Sequence, residues 1–440
     1  MVQGRAQAQD LDRPRLDHLL DRERLRFLEQ HPRSVALSAQ AKERFVGGVP
    51  MGWMSEWPTP VPLVIREASG AHLVDVDGHE YVDFCLGEGA SMTGHSPPAV
   101  AEALARQAGQ GFSHLFPTED ALWVAQDLTE RFGLPAWHFA VTATDANRFV
   151  LRLLRALTGR QIVVVFEDCY HGTVDESLHE VAGDPASARR MIPFNDMAAL
   201  EAALSPGDVA CVLAEPVMTN VGVVFPDPGF HDMLRGLTHR TGALLVIDET
   251  HTISAGPGGC TAVWGLQPDV ITIGKAIGGG IPSAAYGFTV DLARQIEARE
   301  MVALEGTGGT LAGNALSLAA TRATLQHVLT EKNLRRAAGR AERFTAGVEQ
   351  VIAAHALPWR TALLGCRAEY AFGPVPRTGA ESHGALDAQL SRYLRLHAIN
   401  RGVILTPFLS NIALVCSETT EADVDRHTEV FAEAVATLLH

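Results

Sequence analysis

Lysine is nearly missing from this sequence. Three of its 440 residues are lysines, Lys42, Lys275 and Lys332, and arginine supplies the remaining fixed positive charge. Cysteine is sparse as well. The six cysteines, at 85, 169, 211, 260, 366 and 416, form no C-x-x-C pair. That excludes a disulfide framework and a cysteine zinc site, and fits reduced residues of a cytoplasmic protein. No stretch approaches the run of about eighteen apolar residues that a membrane span needs. The N-terminal thirty residues are charged throughout and lack the apolar centre of a signal peptide. Positive charge is outweighed, since the formal net charge is −15 and the isoelectric point is near 5.6, which argues against nucleic acid and anionic membranes as partners.

What is present is an ordinary globular composition without repeats, 47% hydrophobic and 20% charged. The length exceeds one ordinary core and predicts two domains, one of them split in sequence. Residues 10–45 alternate Leu and Phe with Arg, Asp and Glu at helical spacing, predicting one or two amphipathic helices. "GAHLVDVDGHEYVDF" alternates on both sides of Asp77-Gly78 and reads as a β-hairpin. Its "DVDG" fragment fails as a calcium loop because position 86 is Leu where that motif needs Glu.

From about 98 to 300, apolar runs alternate with helical segments. The runs are "WHFAV" (137–141), "QIVVVF" (161–166), "VACVLA" (209–214), "ALLVID" (243–248) and "VITIG" (270–274). Continuous β-branched runs suit strands buried on both faces, so the expected fold is α/β with a mostly parallel sheet. A long helical pattern from about 315 leads into a C-terminal α+β piece that ends in an amphipathic helix. The expected division is 1–95, 96–325 and 326–440, with the two outer stretches forming the smaller domain.

Ligands of an open parallel sheet bind beyond the carboxyl ends of its strands. There the runs deliver Thr142-Ala143-Thr144-Asp145, then "EDCYHG", Glu215-Pro216, Asp248-Glu249-Thr250-His251, and Lys275. A lysine at the end of an apolar strand has a desolvated amine, which favours the neutral, nucleophilic form and Schiff-base chemistry with an aldehyde. Asp248 could keep a pyridinium nitrogen protonated, the usual partner of a pyridoxal phosphate (PLP) ring. "TATD" at a helix start suits a phosphate, and Tyr170 could stack on a ring. Strand-end Asp and "TATD" are each also common as plain helix caps. Two other motifs fail: Gly274-Lys275 lacks the rest of a P-loop, and "HEVAG" (179–183) lacks the second His of a zinc protease. No metal site is expected.

The ordered set T-A-T-D-A, E-D-C-Y-H-G, A-E-P, D-E-T-H-T, G-K-x-I-G-G-G-x-P and G-G-T-L-A-G-N-A resembles the class III aminotransferases of PLP fold type I, in the branch of glutamate-1-semialdehyde aminomutase and its transaminase relatives. The resemblance covers roughly residues 40–440. It implies a large domain with a seven-stranded-type, mostly parallel sheet and a smaller α+β domain. It further implies that Lys275 forms the Schiff base and shuttles the proton, Asp248 pairs with the pyridine nitrogen and Tyr170 stacks on the ring. Ala143 and Thr144 would hold the phosphate, Glu215 would lie near the ring hydroxyl, and Thr310 would reach the phosphate of the other subunit of a homodimer.

The sequence departs from the family pattern at four places, three of which bear on the substrate. The family's S-G-T phosphate loop is Thr142-Ala143-Thr144 here. An arginine following the G-G-V segment is absent from "GGVPMGWMSEW", and those of "SP-R" and of the stretch after D-E-V are absent from "TPFLSN" and "DETHTISAG". A buried carboxylate would need such a fork, so these absences count against glutamate-1-semialdehyde. Trp53, Met54, Glu88, His251 and Phe408 are expected to fill the cleft, giving an apolar pocket with one carboxylate. The expected activity is therefore transamination from a hydrophobic, aromatic or diamine-like donor to a keto or aldehyde acceptor. A PLP isomerase, either an aminomutase or a racemase, is the alternative, and a binding protein that has lost its chemistry is a third. The thirty N-terminal residues outside the resemblance are expected to pack on the partner subunit.

Overall fold

Leucines spaced three and four apart along Arg13–Gln30 put Leu16, Leu19, Leu20 and Phe27 on one face. All four are buried in this computed structural model, which describes residues 11–178, 188–407 and 410–440. Asp12 caps the helix by accepting from the Arg15 amide at 3.1 Å, and a second helix, Pro32–Ala41, follows. The apolar stripe finds its cover on the same chain. Arg13 pairs with Asp387 at 2.7 Å, Arg15 donates to the Thr437 carbonyl at 2.9 Å, and Glu23 accepts from the Asn400 amide at 2.8 Å. Residues 13–30 thus seat their apolar face on their own chain, along the helix Ala388–Ile399.

The hairpin forms as the alternation predicts. Strands β1 (Ile65–Ser69), β2 (His72–Asp75) and β3 (Glu80–Asp83) pair antiparallel, with Gly78 at φ +93 in the turn. The central sheet holds seven strands: β4 (Ala136–Ala140), β5 (Ile162–Phe166), β6 (Arg189–Ile192), β7 (Val209–Ala214), β8 (Leu244–Asp248), β9 (Val270–Ile273) and β10 (Ala284–Phe288). Their order is β4-β10-β9-β8-β7-β5-β6, and β10 alone runs against its neighbours. All five apolar runs are strands here. The pattern missed β6 and β10. "RRMI" places two arginines at a sheet edge, and "AAYGF" has no β-branched residue to mark it.

A third sheet, β11 (Trp359–Leu364) and β12 (Arg367–Phe372) with the later β14 (Asn411–Leu414), is antiparallel, and the two-residue β13 (Val403–Ile404) joins β3 in parallel. Ala368, Tyr370 and Phe372 on one side of β12 pack into the core with Phe344 of the helix Glu331–Ala354 and Phe431 of the helix Glu421–Leu439. Strand alternation therefore turns Arg367 and Glu369 to the opposite side, toward the central sheet. In that sheet the carboxyl ends of β4, β5, β7, β8 and β9 share one edge, and the chemistry-bearing residues gather there.

Candidate active site

Lys275 follows β9 after the single residue Gly274, in a left-handed conformation with φ +49. A side chain other than glycine is strained there, a cost that concentrates at functional sites. Its surroundings desolvate the amine and hold its pKa below the ordinary lysine value, with Arg367 adding to that effect and Glu88, Asp248 and Glu215 opposing it. Lys275 Nζ lies 2.6 Å from His251 Nε2. His251 Nδ1 lies 2.7 Å from Thr219 Oγ1, which donates to Glu215 Oε2 at 2.5 Å.

The donors in this chain can be ordered. Burial, then the charges of Lys275 and Arg367, hold His251 well below the ordinary imidazole pKa, so the ring is neutral. With the threonine hydroxyl given to Glu215, His251 Nδ1–H must donate to Thr219. Nε2 is then left as the acceptor for the Lys275 amine. Glu215 also accepts the Tyr170 amide at 3.0 Å. Burial pushes its carboxyl up, and the His171 charge and the Thr219 and Tyr170 donors oppose that rise.

Asp248, the last residue of β8, is buried with both oxygens occupied. Oδ2 accepts from Asn147 Nδ2 at 2.9 Å and faces His171 Nδ1 at 3.0 Å, while Oδ1 accepts the Thr250 amide at 3.0 Å. Burial alone would raise its pKa. The His171 bond and charge, with Thr250 and Asn147, more than offset that and hold the carboxyl below its ordinary value. Asn147 is itself fixed, since its Oδ1 accepts from Thr272 at 2.7 Å and its amide also reaches the His171 carbonyl. The neighbouring Glu249 does a different job. Its carboxylate takes the Thr252 hydroxyl and the amides of Cys260 and Thr261, stapling the helix start that follows.

Between these groups lies a cavity of about 300 Å³, lined among others by Ala143, Thr144, Tyr170, His171, Glu215, Asp248, His251 and Lys275. One end is the start of the helix Ala143–Thr158, where Thr142 accepts the Asp145 amide and the first-turn amides of Ala143 and Thr144 face outward. Gly172, at φ +81, presses against it: a Cβ there would sit 2.0 Å from Thr144 Oγ1. His171 Nε2 and Thr250 Oγ1 are buried at the cavity wall without a hydrogen-bond partner. An anion-ready helix end, a carboxylate kept ionised, an aromatic ring, a desolvated amine and unspent polar atoms fit an anionic pyridine aldehyde.

Other expected residues lie elsewhere. Thr310 is exposed in the 301–314 segment, away from the cavity of its own chain. Trp53 and Met54 do not fill the cleft beside Lys275 in this chain, because Gly52–Ser55 forms a surface turn. Met54 lines a separate apolar groove of about 690 Å³ against β1 and β2. Glu88, half-buried at φ +55, sits in the turn that crosses Lys275, where a Cβ on Gly89 would be 3.8 Å from the lysine Cδ. Phe408 lies outside the described residues. Sequence reasoning passed over Asn147, His171, Thr219 and Arg367. Asn147 had one signal, a polar residue on the buried face of an otherwise apolar helix.

Residues 53–358 match the model of the aminotransferase class-III family. Over its length the chain is 34% identical to the glutamate-1-semialdehyde 2,1-aminomutase of Roseiflexus castenholzii, covering 92% of this chain and 98% of that protein. Among solved structures, a glutamate-1-semialdehyde aminomutase from Pseudomonas aeruginosa PAO1 superposes with TM-score 0.95 at 46% identity, covering 97% and 99% of the two chains. A lysine-to-alanine variant of that aminomutase has been solved in complex with PMP. A β-phenylalanine aminotransferase from Variovorax paradoxus superposes with TM-score 0.87 at 26% identity, covering 96% and 97%.

Proposed function

The chain belongs to the class-III aminotransferases, a PLP-dependent family of fold type I, and from that premise we propose that it is an aminomutase, moving an amino group between adjacent carbons of one carboxylate-bearing substrate. One observation carries the choice over transamination: likeness along the whole chain, at 46% identity, to an aminomutase, against 26% to the transaminase neighbour. This reverses the order of the two activities expected from the sequence.

In this reading Ala143 and Thr144 hold the phosphate, Tyr170 covers the ring and Asp248 holds the ring nitrogen protonated. When bound, PLP supplies a carbonyl for the amino group and an electron sink that acidifies the neighbouring C–H bond. Lys275 Nζ would deliver a proton at one substrate carbon and remove one at the other, in separate steps. His251 Nε2 accepts from that amine and keeps it aimed, while the run through Thr219 to Glu215 fixes the imidazole tautomer. Asn147 and His171 hold the Asp248 carboxylate in place.

The working unit is a homodimer with a site completed by Thr310 of the other chain. The exposed Phe112, Leu115, Phe116 and Leu311 support an interface on that side. We place the protein in the cytoplasm, a reading supported by six free, buried cysteines.

The test supplies glutamate-1-semialdehyde to the cofactor-loaded protein without any keto acid. Formation of 5-amino-4-oxopentanoate, the product of shifting the amino group from C2 to C1, supports the proposal. Turnover that appears only when a keto acid is added supports the second reading, transamination. That reading is favoured by the Variovorax neighbour and by the missing arginines. Neither product in either assay would sink both.

A further inference from the structure

Arg367 opens β12 and is 1% exposed, the largest of the fully buried side chains. Its Nε and Nη1 have no hydrogen-bond partner, and no carboxylate among the described residues comes within ion-pair distance. A buried guanidinium left this way is costly, and such groups persist where they have work to do. The nearby acids are already engaged. Glu369 takes the Val223 amide at 2.9 Å and faces Arg360, Glu215 is bound to Thr219 and Tyr170, and Glu88 stays half-exposed on its turn.

Contacts of the preceding residue fix where the start of β12 lies. The preceding Cys366 donates its amide to the Ser254 carbonyl at 3.0 Å, three residues past His251, and its sulfur is 3.7 Å from that of Met92, in the turn that covers Lys275. The apolar side of β12 is committed to the core through Ala368, Tyr370 and Phe372. Arg367 is therefore turned toward the region bounded by the 86–92 turn, the 251–255 turn and the 219–223 loop. Its charge is felt there by Lys275 and His251.

We propose that Arg367 is the site's receptor for the substrate carboxylate, doing from β12 the work of the arginines missing from "GGVPMGWMSEW", "TPFLSN" and "DETHTISAG". The proposal rests on the reading of the cavity as one that handles a carboxylate-bearing amino compound. The planar fork accepts two carboxylate oxygens side by side. Glu88 then serves as a loose counter-charge beside the subsite. The substrate class becomes a short amino acid derivative with a terminal carboxylate, in place of the apolar amine expected from the sequence.

The experiment uses the cofactor-loaded protein and two unreactive probes, pentanoate and its neutral analogue pentanamide, titrated calorimetrically. The native protein should prefer pentanoate by at least about tenfold, and R367Q should lose that preference while keeping the bound cofactor's yellow colour. R367K, with charge but no fork, should fall between them. A native protein that does not distinguish the probes, or binds neither, overturns the proposal without any variant. An R367Q protein that keeps the preference overturns it as well. A preference abolished by R367Q in a protein that does not isomerise glutamate-1-semialdehyde leaves the receptor standing and removes the aminomutase reading. Turnover of that compound with KM unchanged in R367Q does the reverse.

Discussion

At the scale of single residues, the site separates groups that face the cavity from groups that hold them. His251 faces it and touches Lys275. Replacing it with Phe should lower kcat about 10- to 100-fold while leaving cofactor affinity near native, because the loss falls on an aimed proton carrier. Single-turnover rates beside a cofactor titration would check this. His171 holds Asp248. Asp248 is kept low in pKa by that partner, so His171→Phe should let the carboxylate protonate at higher pH. The acid limb of cofactor affinity should then move upward in pH, and a limb that stays put would show that the Asn147 and Thr250 donors suffice.

The strand-end residues were legible because a desolvated lysine and a terminal aspartate announce themselves in the runs that carry them. The positioning residues were not, since Asn147 and Thr219 act through contacts that sequence distance hides. Arg367 was missed for a further reason. "RAEYAF" gives no hint of which side of its strand faces the site until the core has claimed the other.

Among the elements, the turn at Gly172 meets the helix start at Thr144 with no room between them. Gly172→Ala should push the two apart and weaken phosphate binding by about tenfold or more, as both the clash and the positive φ oppose a side chain. Equilibrium titration with PLP would measure it.

The helix Arg13–Gln30 is held from its middle by Glu23, whose carboxyl is lowered from 4.5 to about 2. Burial raises that carboxyl, and His397, Asn400 and Arg401 more than reverse the rise. The sign follows. Its stabilisation is present above the unfolded carboxylate value and is lost as pH falls through about 2. Glu23→Gln should cost about 2 kcal/mol at neutral pH and flatten the acid limb of stability. Denaturation midpoints between pH 2 and 7 would show whether it does.

The strands and helices themselves were largely readable. Periodicity identifies a run that must be buried, and it failed at β6 and β10, where an edge position and small residues erase the pattern.

For the whole molecule, the chief expectation is a site shared between two chains. Lys275→Ala removes the amine from one chain, and Thr310→Ala removes the group offered to the other. Mixing the two weakened variants under subunit exchange should restore about a quarter of native activity, since half the dimers are mixed and each has one intact site. No recovery on mixing, with exchange confirmed by mass, would place Thr310 in the site of its own chain and overturn the shared site. The alternation of apolar runs and helices made the central sheet legible. It could not by itself show that β13 pairs with β3 in the four-stranded sheet, because those strands lie hundreds of residues apart.

That distant pairing has a consequence for how the protein is made. Arg13 meets Asp387 across 374 residues, and Arg15 meets Thr437 across 422. On the ribosome, the first helix must therefore wait, its leucine stripe uncovered, until nearly the entire polypeptide has emerged. The central sheet can form and present Lys275 well before β12 delivers Arg367. Synthesis should thus pass through a species that has the groups around Lys275 in place but lacks Arg367, and if Arg367 receives the substrate carboxylate, selection arrives only with β12.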